Sequence, residues 1–164
     1  MKIARTVAFV FLVAIETSGY PFGAPVLKCD TMVPGHSVLP QTEGSPYSIT
    51  TSSDKYLPGG TLSVTVTSTV SSGFKGILMQ MRSKDSDDVV GTWTVHTANF
   101  KTISCDGNPD AVTHANGNDK GATNTFTWNA PQDSNLGDVY VVATFVKYFS
   151  TFWVKQTSSY IGAN

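Results

Sequence analysis

Between Thr61 and Val70 the sequence reads TLSVTVTSTV, with Leu62, Val64, Val66 and Val70 separated by threonine and serine. Side chains of an extended chain point alternately to two faces, so this run presents one apolar face and one polar face. It is the pattern of a half-buried β-strand, and its β-branched residues favour that backbone. Similar runs follow. Phe74 to Arg82 (FKGILMQMR) is apolar on much of both faces, and Val89 to Val95 (VVGTWTV) is expected to pair back on it across the polar turn Lys84-Asp85-Ser86-Asp87-Asp88. Asn99 to Cys105, Ala111 to His114, Thr123 to Asn129 (TNTFTWN), Val139 to Tyr148 (VYVVATFVKY) and Phe152 to Val154 complete the set. About eight short strands with turn residues between them predict an all-β fold. The expected form is an immunoglobulin-like β-sandwich in a single domain.

The N-terminus sets the expected compartment. Lys2 and Arg5 precede the short apolar run Thr6 to Ile15, and small residues Thr17 and Gly19 precede Tyr20. This is the pattern of a secretory signal peptide over residues 1–19, leaving a domain of residues 20–164 outside the cell. An apolar run of about ten residues falls short of the roughly 20 needed to cross a bilayer, so no membrane span is expected. Residues 20–46 then hold five prolines and three glycines. That composition excludes a helix and predicts an extended Pro-rich N-terminal arm, pinned to the body by Cys29 alone.

Cys29 and Cys105 are the only cysteines. An even count in an oxidising compartment favours one disulfide. It would close a loop of about 77 residues, worth ~4–5 kcal/mol on a chain-entropy account. The stretch KCDTMVPGH (residues 28–36) also sets Met32 and His36 near Cys29, which leaves a soft-metal thiolate as the lesser alternative.

Several function classes find little support. With the signal removed the net charge is close to −2 and no polybasic run remains, so nucleic acid is not an expected partner. His36, His96 and His114 lie on three separate segments without metal-ligand spacing, and Asp85, Asp87 and Asp88 lack the glycine and glutamate of a calcium loop. No cofactor is expected. There is no Gly-x-Ser-x-Gly elbow, and Glu43 is the sole glutamate after the signal, so an enzyme is not expected either. The best binding candidate is Lys147, Tyr148 and Phe149, where exposed rings would stack on sugar faces or meet lipid. Lys75 and Arg82 are weaker candidates for anionic polymers.

GAPVLKCDTMVPGH, PYSITTSS, YLPGGTLSVTV, FKGILMQMR, the cysteine at 105, VTHANGNDK, TFTWNAP and GDVYVVATFVKYFSTFWV follow one another in an order that resembles a reeler (reelin-type) domain over about residues 22–157. The resemblance implies a secreted β-sandwich similar to the single-domain defence proteins of invertebrates, the noduler-like group. Those are associated with innate immunity and with binding microbial cell-wall polysaccharide or lipopolysaccharide, and with antimicrobial or haemocyte-aggregating activity. The haemocyte surface is a further implied partner. Reeler modules of spondins imply the alternative, an extracellular-matrix or adhesion role on host glycosaminoglycan. The 164 residues carry no haem-binding cytochrome span, so the redox setting of ferric-chelate reductase-like relatives is not expected.

Overall fold

The computed structural model describes residues 19–42, 44–133 and 136–164. The expected signal peptide and Glu43 lie outside the described residues, apart from Gly19. Among the described residues there are eleven strands: Tyr47–Thr51 (β1), Lys55–Tyr56 (β2), Thr61–Ser68 (β3), Gly76–Ser83 (β4), Thr92–Thr94 (β5), Phe100–Ile103 (β6), Ala111–His114 (β7), Thr123–Asn129 (β8), Val139–Tyr148 (β9), Thr151–Thr157 (β10) and Gly162–Ala163 (β11). One sheet has the order β1-β3-β8-β5 and the other β10-β9-β4-β7-β6, each with antiparallel neighbours. The short β11 pairs in parallel with β2. This is the expected all-β sandwich.

Its core follows from the alternation in the sequence. Leu62, Val64 and Val66 of β3 turn inward beside Phe126 and Trp128 of β8. They meet Ile77, Met79 and Met81 of β4 and Val141, Ala143 and Phe145 of β9 from the opposite sheet. Polar residues between them stay at the outer surface of the four-stranded sheet, where Ser48 bonds Thr67 and Thr65 bonds Thr125. Tyr47 stacks on Phe145 with ring centroids 4.6 Å apart.

Strand β4 is buried along its whole length. Its second face explains why the sequence is apolar on both sides. Leu78 packs there with Met32, Ala111 and Val142 in a separate cluster beneath the N-terminal arm. A strand covered on both faces loses the simple alternation of a solvent-facing sheet.

Two expectations need correction. The hairpin drawn from Val89 to Val95 back onto β4 is reduced to a bridge between Val89 and Arg82 and a bond from Val90 N–H to the Met81 carbonyl. The chain then crosses to the other sheet, where β5 pairs with β8. Gly91 makes that crossing: its φ is 71°, and a Cβ there would collide with the Trp128 indole.

The arm is also held by far more than Cys29. Met32 is buried, the Ala24 N–H donates to Thr113 Oγ1 at 2.8 Å, and the Gln41 N–H donates to the Phe152 carbonyl at 2.8 Å. Prolines exclude a helix, but they do not prevent an extended segment from packing as a third layer.

Candidate functional site

The disulfide forms between Cys29 and Cys105, whose Cα atoms are 5.7 Å apart. It ties the arm to the loop that follows β6. This removes the metal-thiolate alternative for Cys29, while Met32 belongs to the apolar cluster and His36 lies elsewhere. Near the staple, Arg82 is buried under the arm. Its Nη2 donates to the Cys29 carbonyl at 3.0 Å and to Gln80 Oε1 at 2.8 Å, and its Nη1 reaches Asp87 Oδ2 at 2.7 Å. The Tyr140 hydroxyl donates to the other Asp87 oxygen. That bond, helped by the Arg82 charge, holds the Asp87 carboxyl below its usual range, although partial burial opposes it. Burial, then the bond to Asp87, pushes the Tyr140 phenol up to about 12. Arg82 is therefore a fastening residue, and its guanidinium is not presented to an external polymer.

Toward the other end, the arm and the outer face of the five-stranded sheet enclose a cavity of about 400 Å³. That volume falls inside the ~300–1,000 Å³ typical of small-molecule sites. Its floor runs along β4 and β9, from Leu78 and Thr144 past Gly76 and Val146 to Lys75 and Lys147. Three residues of strand make this about 10 Å. Gly76 contributes no side chain, so the floor is bare backbone at that point. Ala24, Pro25, Met32, Val33 and Pro34 of the arm form the opposite wall. Lys28, Lys75 and Lys147 are also in the lining.

The three residues singled out by sequence, Lys147, Tyr148 and Phe149, all line this cavity. Tyr148 is 53 % exposed and Phe149 42 %, which puts their end of the cavity at the surface. The Lys147 ammonium lies 5.7 Å from the Tyr148 ring centroid, within cation–π reach. Lys75 lines the cavity too, and its ammonium pairs with Asp119 at 3.0 Å.

Sequence reasoning missed the cavity and the two histidines in its wall. His114 Nδ1 accepts from the Ile77 N–H at 3.2 Å, and its Nε2 donates to the Tyr20 carbonyl at 2.7 Å, so the neutral ring fastens the arm to β4. Burial lowers its pKa, with Lys120 and Lys101 acting in the same direction. His36 stacks on Phe149 at 4.4 Å and meets Phe152 edge-on at 5.4 Å. It is only 6 % exposed, and among the described residues its Nδ1 has no hydrogen-bond partner. Burial lowers its pKa as well, against a bond to the Phe149 backbone. His96 is separate, bonded to Thr127 on the four-stranded sheet at 2.9 Å. Among the described residues no group of three or more His, Cys, Asp or Glu side chains is placed to hold a metal ion. Nor is any described helix long and apolar enough to cross a membrane.

Solved structures similar to this fold include the Reelin-N domain of F-spondin. It matches with a TM-score of 0.63 at 19 % identity, over 77 % of this chain and 92 % of that one. Among curated relatives, "Putative defense protein 3" of Antheraea mylitta is 44 % identical over 97 % of this chain and 95 % of its own length. "Putative defense protein 1" of the same moth is 38 % identical over the same shares. "Putative ferric-chelate reductase 1" of Danio rerio is 31 % identical over 88 % of this chain, which spans only 25 % of that protein. The reeler domain family model matches residues 27–164, and the chain belongs to the reeler family.

Proposed function

We propose that this chain is a secreted, non-enzymatic recognition protein of innate defence, exported by a signal peptide over residues 1–19. Its ligand is a microbial surface glycan or lipopolysaccharide. The observation that carries this reading is the placement of Tyr148 and Phe149, exposed and adjacent, at the end of an apolar cavity with Lys147 beside them. The names given to the moth relatives, which match this chain nearly end to end, support the defence role. Haemocyte aggregation or growth inhibition would follow from presenting a bound microbe to cells.

Host glycosaminoglycan is the less favoured ligand. Of the described cations, Lys75, Arg82 and Lys84 are already ion-paired with Asp119, Asp87 and Asp138. An acidic polymer would have to displace those carboxylates, and such binding fades with salt. Contact through rings buries apolar surface and does not depend on screened charge. The test is a pull-down on bacterial or fungal cell-wall material at low and high salt, with wild type and Tyr148→Ala/Phe149→Ala. Retention of wild type at high salt and loss of the double variant is the expected result. Equal retention of both would place the site elsewhere on the sandwich.

A further inference from the structure

We propose that the cavity beneath the arm binds a single fatty-acyl chain carrying an anionic head group. This deepens the reading above, on which it rests for biological setting, by naming the part of a microbial amphiphile that the site takes. The argument begins with the lining. Leu78, Val146, Met32, Val33 and Ala24 offer methyl and methylene surface but few hydrogen-bonding groups, and the Thr144 hydroxyl already accepts from the Lys155 N–H at 3.2 Å. A sugar ring buried there would leave its hydroxyls unpaired, a cost that polar ligands avoid. An alkyl chain has no such groups. The floor is also long and narrow along two adjacent strands, and Gly76 keeps it open: a Cβ at that position would come within 3.2 Å of both Val146 Cβ and His114 Cε1.

The polarity of the two ends fixes the orientation. The Leu78 end is closed by Met32 and the second apolar cluster. The opposite end has Lys75 and Lys147 in its lining, and the Lys75 N–H bonds the carbonyl of Val146, the residue before Lys147, at 2.9 Å. His36, in the wall beside Phe149, adds a buried nitrogen without a partner among the described residues. A carboxylate or phosphate at this end would meet the Lys147 ammonium and share Lys75 with Asp119, its ion-pair partner at 3.0 Å, with a buried imidazole in the same wall, while its chain runs inward. The arm also exposes Phe22, Leu27 and Leu39, apolar surface outside the cavity lining that suits contact with the lipid surface from which such a chain is drawn.

The experiment is fluorescence titration of the secreted protein with a polyene fatty acid, parinarate, followed by competition. Saturable binding of one parinarate per chain, displaced by palmitate, is the expected result. Among saturated fatty acids, affinity should rise about fourfold per added methylene until the cavity is full, then level off. Palmitate methyl ester should bind about tenfold more weakly than palmitate, since its head carries no charge for the lysines. Val146→Trp, which fills the floor, should weaken parinarate by about tenfold or more. Lys147→Glu, which reverses the charge at the head-group end of the floor, should weaken parinarate by a similar factor.

Absence of saturable binding overturns the proposal, as does affinity independent of chain length, a measurement that needs wild type alone. Displacement by lipopolysaccharide as well as palmitate would identify the microbial lipid as a source of the chain. Displacement by palmitate alone would still establish the site, with free fatty acid as the ligand. Cell-wall retention separates this proposal from the broader one. If wild type and Val146→Trp are held equally by microbes, recognition stands and the acyl site is not its basis. If parinarate binds but no microbe is retained, the acyl site stands and the defence reading falls.

Discussion

The two faces of the five-stranded sheet are built on different principles. The inner face is closed and apolar: Ile77, Met79, Met81, Val141, Ala143 and Phe145 meet the other sheet with almost no exposed surface. The outer face of the same strands mixes Leu78 and Val142 with Gln80, Arg82, Thr113 and Thr144, and an irregular arm covers it. Hydrophobic burial is non-directional and tolerates close packing throughout. The outer layer is held by a covalent link, individual hydrogen bonds and one small apolar cluster around Met32, each at a fixed point. Between those points it leaves a cavity. A layer fastened at points opens locally more readily than one packed continuously. The site therefore occurs where ligand entry demands the least of the core.

The disulfide offers the largest break in that comparison. Cys29→Ser/Cys105→Ser releases a loop of 76 residues' separation and should lower stability by ~4–5 kcal/mol on the loop-entropy account. Urea denaturation measures the loss. Hydrogen exchange sharpens it: the amides of Ala24 and Gln41 should lose protection first, while β3 and β9 amides exchange only on global unfolding. Uniform exchange across both layers would show the arm and sandwich to be one cooperative unit.

Truncations on the two faces come next. Phe145→Ala removes a ring that contacts Tyr47 and Phe74, and should cost ~3–5 kcal/mol. Met32→Ala under the arm should cost ~2–3 kcal/mol, the lower part of the range for buried methionine, because the arm can settle toward the sheet. Equal losses in urea midpoints would mean that the outer layer is as rigid as the core.

The same division governs what the sequence conveys. TLSVTVTSTV and TNTFTWN declare their strands because one face is buried and one is wet, and they pair as β3 and β8. Strand β1 is less visible: Tyr47 and Ile49 give only two buried alternations in a serine- and threonine-rich stretch that follows a proline. The β2–β11 pair is two residues long and rests on contacts 107 positions apart, between Lys55 and Gly162. Lys147, Tyr148 and Phe149 stand out as an aromatic run at the end of the longest strand. The cavity beside them is not local to any motif. It depends on Tyr20 meeting His114 and on His36 meeting Phe149, and no periodicity encodes such long-range pairs. The one trace is in KCDTMVPGH, where Met32 and His36 mark buried contacts of the arm.

The smallest expected effect separates the layers by pH. Both His36 and His114 belong to the arm's attachments, and burial lowers both pKa values from the ordinary 6.5. Below about pH 6.5 the unfolded chain therefore takes up these protons before the folded one does, so stability falls as pH drops from 6.5 through the lowered folded values. Above 6.5 neither state is protonated and the contribution is fully present. Protonation would strip Nδ1 of His114 of its ability to accept the Ile77 N–H, and the ring would face the like charges of Lys101 and Lys120. Asp87 acts in a second, lower window: its pKa is depressed, so its contribution is lost only as pH falls below about 4. Melting curves from pH 7.5 to 3 should therefore show two steps, with arm amides losing exchange protection in the first. His36→Phe keeps an aromatic ring against Phe149 and removes one titrating group, so it should shrink the upper step and leave the lower one unchanged. An upper step of undiminished size would assign the whole effect to His114 and its bond to the Tyr20 carbonyl.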